Sequence, residues 1–151
     1  MATVDWKAEN KVSPVKKQGT KCGSCWAHAA AAAVESQLLI QTGQALDLSE
    51  QECVDCVTES DGCGGGQAYL CLQYIASQGI ASEGSYPYKS QNGACNAGPP
   101  PVVKIAQAPG YTRLLSNSRQ ELLKALAEQP VIVSLWADPT FQDFGGGIFH
   151  G

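Results

Sequence analysis

The chain has 151 residues, 44% of them hydrophobic and 16% charged, enough apolar content for one globular domain with room for a second piece. A formal net charge of -4, with Lys16-Lys17 the sole adjacent pair of cations, excludes a face for phosphate backbones, so nucleic acid is not an expected partner. Seven cysteines point to an oxidising compartment, and the odd count leaves at least one thiol outside any intramolecular pair.

Turn signals come first, Ser13-Pro14 and Gln18-Gly19 framing an irregular entry to a long helical pattern from about Cys25 to Thr42. Ser24 is its expected N-cap and Gly43 its stop, with Trp26, Ala29, Ala30, Ala33, Val34 and Ile40 as a broad apolar surface. Its longest apolar stretch, Ala29 to Val34, is far short of a membrane span, and the N-terminus lacks a basic region followed by an apolar one; membrane is not expected, and Met1-Ala2 is uninformative about any leader. A second short helix starts at Ser49, where Ser49 and Glu52 have capping-box spacing and Cys53 and Cys56 share a face. The glycine-rich loop Asp61 to Gly66 follows, then a helix from Gln67 to Ser77 ended by Gly79. The segment from Ser82 to Pro109 is rich in Gly, Pro, Ser, Asn and Tyr and predicts long irregular chain. Ser118 and Glu121 cap a helix over Arg119 to Gln129, which Pro130 terminates. Val131 to Trp136 is a strand by its β-branched content, and Ile148-Phe149 is the start of another, so their sheet partners come from elsewhere.

Cys25 is the candidate nucleophile. A thiol in the first turn of a helix meets the positive end of the macrodipole and unpaired N–H groups, which favour the thiolate. Gln18, brought near by a tight turn, offers a side-chain amide to a developing oxyanion alongside the Cys25 backbone N–H. The residues leave other readings open: Cys22 and Cys25 as a buried or bridged pair, or as the C-x-x-C of a thiol-disulfide oxidoreductase, although no strand pattern precedes it. A four-thiolate zinc site with Cys53-x-x-Cys56 is a third, weakened by a separation wider than a usual ribbon. Of the two histidines, His28 lies on the nucleophile's own helix and reads as a buried structural residue, while nothing near His150 would orient it.

Gln18-Gly19 followed by Cys22-Gly23-Ser24-Cys25-Trp26-Ala27 resembles the papain-like cysteine proteases. Val4-Asp5-Trp6, Leu48-Ser49-Glu50-Gln51-Glu52, Gly62-Cys63-Gly64-Gly65-Gly66, Tyr86-Pro87-Tyr88, Gln129-Pro130-Val131 and Gly146-Gly147-Ile148-Phe149 extend the likeness over essentially the whole chain. The resemblance implies an α+β fold with a helical left domain, residues 10–111, and only the opening of a β-barrel right domain, residues 1–9 and 112–151. It implies Cys25 as nucleophile and Gln18 as oxyanion donor. Gly23, Gly65, Gly66 and Ala68 would contact an extended peptide substrate, Ala68 lining the main specificity pocket. Cys22 would pair with Cys63 and Cys56 with Cys95, leaving Cys53 and Cys71 to pair or stay buried, with no cofactor and no metal. The family's base, a histidine after an Asp, and the Asn-Ser-Trp segment that orients it would lie beyond Gly151, so a truncated or split, secreted, lysosomal or vacuolar endopeptidase is expected, inactive by itself. Its exposed apolar seam would invite a complementary C-terminal chain or self-association. Two departures stand out: His28 occupies an aromatic position of the family, and Lys21 is an insertion in the oxyanion turn. The alternative reading is a non-catalytic homologue or engineered left-domain module that binds peptides or partner proteins.

Overall fold

The computed structural model describes residues 3–104 and 110–150. Met1-Ala2, the last five residues of the predicted 82–109 loop and Gly151 lie outside them.

The central element is helix α1, Cys25–Thr42, as its sequence signals predict. Gly43 closes it, its N–H donating to the Leu39 carbonyl at 3.2 Å. Alanines Ala27, Ala30 and Ala31 are wholly buried on it, and such short side chains let neighbouring helices approach closely. Helix α2, Glu50–Cys56, and helix α3, Ala68–Gln78, pack against it. Leu48, Val54, Val57, Ile75, Ile80 and Val103 complete the core between them. The Ser49 hydroxyl caps α2 by accepting the Glu52 N–H at 3.0 Å.

Six of the seven cysteines are paired, as Cys22–Cys63, Cys53–Cys71 and Cys56–Cys95. The Cys53–Cys71 bridge joins α2 to α3 with both residues fully buried, a pairing that sequence spacing left open. It closes a separation of 18 residues, so replacing both by alanine is expected to cost about 3 kcal/mol, read as a lower urea midpoint with an unchanged helical spectrum.

The irregular chain after α3 is pinned by side chains of α2. Gln51 takes the Lys89 N–H on its carbonyl and donates to the Gln91 carbonyl, both at 2.8 Å. Asp55 accepts from the Gly93 N–H at 2.8 Å and the Tyr86 hydroxyl at 2.9 Å. Those bonds replace the ladder that this segment lacks.

The last forty described residues depart from expectation. Helix α4, Arg119–Leu126, is capped by Ser118 but ends before Gln129, the chain passing through a turn on the Ala125 carbonyl toward Pro130. A short helix α5, Pro139–Gln142, capped by Asp138, was not foreseen. Neither predicted strand forms: 131–136 is irregular chain without a ladder, and 148–149 is likewise unpaired. Among the described residues β-pairing is limited to the isolated bridges Leu48 to Ser82 and Ile80 to Val103. β-Branched side chains make a strand only where a neighbouring strand accepts their backbone bonds. Here Pro130, Val131, Ile132 and Val133 instead lie along α1, flanking a groove with Val12, Ala29, Ala32 and Ala33. Leu135, Trp136 and Ile148 stay exposed, Trp136 at 91%.

Candidate active site

Cys25 is the first residue of α1, exposed, and the single free cysteine of the chain. Ser24 precedes it in the N-cap position but makes no side-chain cap bond, so no hydroxyl competes for the N–H groups of the first turn. The end of the helix keeps its positive field for the sulfur.

Two links join the strip before Cys25 to the glycine loop: the Cys22–Cys63 disulfide, and a bond from the Gly23 N–H to the Cys63 carbonyl at 2.8 Å. A Cβ on residue 23 would stand 2.9 Å from that carbonyl oxygen, so the contact exists because residue 23 is glycine. Trp26 holds the loop from the other side, its indole N–H donating to the Gly62 carbonyl at 3.1 Å. A Cβ on Gly66 would fall 2.6 Å from the Trp26 ring, so this segment too must be bare backbone. Gly65 and Gly66 follow the 3₁₀ turn Gly62–Gly64, and Ala68 opens α3, half-buried against the core.

Gln18 lies on the approach to the same helix end. Its main-chain carbonyl accepts the Tyr88 hydroxyl at 2.9 Å and the Ser90 hydroxyl at 3.3 Å. Thr20 and Lys21 form an exposed bend between Gly19, which follows the anchor at residue 18, and Cys22 with its disulfide. Tyr88 and Ser90 were not singled out for this task in the sequence, where the Tyr86-Pro87-Tyr88 motif was the one available signal. His28 is half-buried, bonded through Nδ1 to Ser24, and His150 is exposed. Among the described residues no hydrogen bond links either histidine to Cys25, and the His28 Nδ1 bonds to Ser24.

A charged cluster shares a cavity wall with His28 and Tyr88. The Lys16 ammonium reaches Glu35 at 3.0 Å, Glu50 at 2.6 Å, Asp47 at 2.7 Å and the Leu48 carbonyl at 3.0 Å. Burial pulls this ammonium toward its neutral form, but the hydrogen bonds to Asp47, Glu50 and Glu35 outweigh it and raise its pKa above the usual lysine range. Glu83, close by, accepts the Tyr88 N–H at 2.8 Å. Burial pushes its carboxyl up from the ordinary 4.5; the Tyr88 bond opposes that rise, while the charges of Glu50 and Asp47 add to it and that of Lys16 subtracts. A carboxyl raised in the folded state binds its proton more tightly there than in the unfolded chain, so its contribution to stability declines as pH rises above 4.5 through the folded value. Glu83→Gln keeps the acceptor for Tyr88 and is expected to remove that decline, seen as a urea midpoint less dependent on pH over the weakly acidic range.

Among the described residues no group of three His, Cys, Asp or Glu side chains is arranged to hold a metal ion, and no helix is long and apolar enough to cross a membrane.

Comparison with known proteins places this arrangement in a family. The family model of papain family cysteine proteases matches residues 1–151. Caricain and chymopapain of Carica papaya are 44% and 45% identical over 98% and 99% of this chain, which spans 42% of the length of each. Zingipain-2 of Zingiber officinale is 45% identical over 99% of the chain and 67% of its own length. The crystal structure of a Carica candamarcensis cysteine protease in complex with E-64 superposes with a TM-score of 0.88 at 42% identity, covering 98% of this chain and 69% of that one. The bromelain protease from Ananas comosus in complex with the E64 inhibitor gives 0.88 at 37% identity, over 98% and 67%. The fold is thus papain-like, a helical left domain with the beginning of the right one, and the three disulfides suit an oxidising compartment. With its free thiol at the head of α1 and its sequence matched from end to end, the chain belongs to the papain family of cysteine proteases.

Proposed function

We propose that the chain is the nucleophile-bearing part of a cysteine endopeptidase. The Cys25 thiolate attacks a peptide carbonyl and the Gln18 amide and the Cys25 N–H receive the oxyanion; the C–N bond then breaks, the amine leaving with a proton, and water hydrolyses the resulting thioester to the carboxylic acid and the free sulfur. Gly23, Gly65 and Gly66 offer backbone to an extended peptide, and Ala68 lines the pocket for one of its side chains. The observation that carries this reading is the single exposed thiol, on a helix N-terminus, beside a loop that the Cys22–Cys63 bridge and the Trp26 indole hold as bare backbone.

We place residues 10–111 in the left domain, and 1–9 with 112–151 in the right. The exposed Val133, Leu135, Trp136 and Ile148 support a covering partner for that portion, either a complementary chain or a second copy. The three disulfides support secretion or a lysosomal or vacuolar location. Among the described residues no hydrogen bond joins a histidine to Cys25, so the 151-residue polypeptide assayed as it stands is expected to show no peptidase turnover.

An epoxysuccinyl peptide tests the site without requiring turnover. Covalent capture at Cys25, faster with a peptide-bearing epoxide than with an epoxide of equal reactivity lacking the peptide, supports the reading. Equal rates for the two would mean that no peptide site adjoins the thiol and would favour a non-catalytic relative.

A further inference from the structure

His28 sits one turn into α1 and has no part in the chemistry above, yet its imidazole is tightly engaged. Nδ1 lies 2.9 Å from the Ser24 carbonyl and 3.3 Å from the Ser24 hydroxyl. That hydroxyl is 2.6 Å from the Tyr88 hydroxyl, which donates to the Gln18 carbonyl at 2.9 Å. The ring stands edge-on to Tyr88, centroids 4.9 Å apart and planes at 88°.

Counting protons fixes the direction of this chain. Tyr88 has one hydroxyl hydrogen, and the Gln18 carbonyl takes it, because a carbonyl only accepts. The contact between Tyr88 and Ser24 is therefore made by the Ser24 hydrogen. With that hydrogen committed, Ser24 presents only acceptors to His28, its carbonyl and its hydroxyl oxygen, so Nδ1 must carry a proton. The order of donation is His28 Nδ1–H to Ser24, Ser24 Oγ–H to Tyr88, and Tyr88 Oη–H to Gln18. Both the neutral Nδ1–H imidazole and the imidazolium fulfil it.

We infer that His28 is a positioning residue for the nucleophile: as a fixed Nδ1–H donor it holds Ser24, the residue next to Cys25, and through Tyr88 ties it to the backbone of Gln18. The inference rests on the assignment of Cys25 and Gln18 under the proposed function. The three side chains set the spacing between the strip that bears the thiol and the strip that bears the oxyanion donor, across sequence separations of 64 and 70 residues. This task is also a physical reason for a polar ring at position 28, since an apolar aromatic side chain there would leave the Ser24 hydroxyl oxygen without its donor.

The 151-residue chain, with its one free thiol, is suited to the test. Nitrogen-15 NMR of the wild-type imidazole is expected to show Nδ1 protonated at neutral and alkaline pH; the Nε2–H tautomer would overturn the inference without any variant. Iodoacetamide alkylation of Cys25 is expected to slow about fivefold in His28→Leu and in Tyr88→Phe, the size of one net neutral hydrogen bond. His28→Asn places an amide N–H where Nδ1 stood and should return to within about twofold of wild type. A wild-type thiol faster than the same thiol in urea, with His28→Leu equally fast, overturns this inference alone. A wild-type thiol no faster than in urea overturns the assignment of Cys25 on which it rests.

Discussion

Replacing Cys25 by alanine is expected to take the chain from one titratable thiol to none and to abolish its capture by any thiol-directed electrophile. The effect is all or nothing because the other six cysteines are locked as Cys22–Cys63, Cys53–Cys71 and Cys56–Cys95. In any longer form of the protein that hydrolyses peptides, the same substitution should reduce turnover by about a million-fold, the scale seen when one member of a catalytic unit is removed. Stability should hardly change, since the side chain is exposed and α1 keeps its first turn. A thiol count by Ellman's reagent on the folded, unreduced chain checks the first half. A residual fast-reacting thiol in Cys25→Ala would show that one of the three bridges is open.

A large loss of stability is expected on removing the Lys16 ammonium. Glu35 and Glu50 are 1% and 2% exposed, and Lys16 is the cation that meets both. Lys16→Met leaves two buried carboxylates facing each other without a counter-charge, a change expected to cost about 3 kcal/mol. Asp47, at 67% exposure, adds little to that figure. Burial opposes the charge on Lys16 and the three carboxylates restore it, so its pKa is higher in the folded chain than in the unfolded one. A raised lysine contributes its stabilisation in full below the unfolded value of about 10.4 and loses it only as pH climbs through the folded value, so the contribution is constant across neutral pH. Urea unfolding checks both statements. A triple variant, Lys16→Met with Glu35→Gln and Glu50→Gln, should recover a large part of the loss, because uncharged amides do not need the ammonium. No recovery would mean that Lys16 acts through its packing and its bond to the Leu48 carbonyl.

Much of this molecule was legible in its sequence, and the reasons are local. Helix α1 begins and ends where its own signals place it, at Cys25 after Ser24 and at Thr42 before Gly43. Ser49 and Ser118 cap their helices through the serine hydroxyl, as the three-residue spacing to Glu52 and Glu121 predicts. What failed was non-local. Val131 to Trp136 has the composition of a strand, but a strand is made by its partner, and none of the described residues pairs with it. Lys16 reads as half of a surface pair of cations, while the fold folds its ammonium in among carboxylates up to 34 residues away. Cys53 and Cys71 carry no mark of their pairing, because spacing does not determine connectivity. At the site itself, the positions of Cys25 and the glycine loop follow from short motifs, whereas the part played by His28 and Tyr88 depends on contacts that only the folded chain makes.

Folding is expected to place a single sulfur on a helix N-terminus and to make it reactive there. The decisive measurement is the alkylation rate of Cys25 by iodoacetamide at neutral pH, taken on the native chain and again in urea with its disulfides intact. The native rate is expected to be well above the unfolded one; a native rate equal to or below it would mean that the helix terminus does not activate the sulfur.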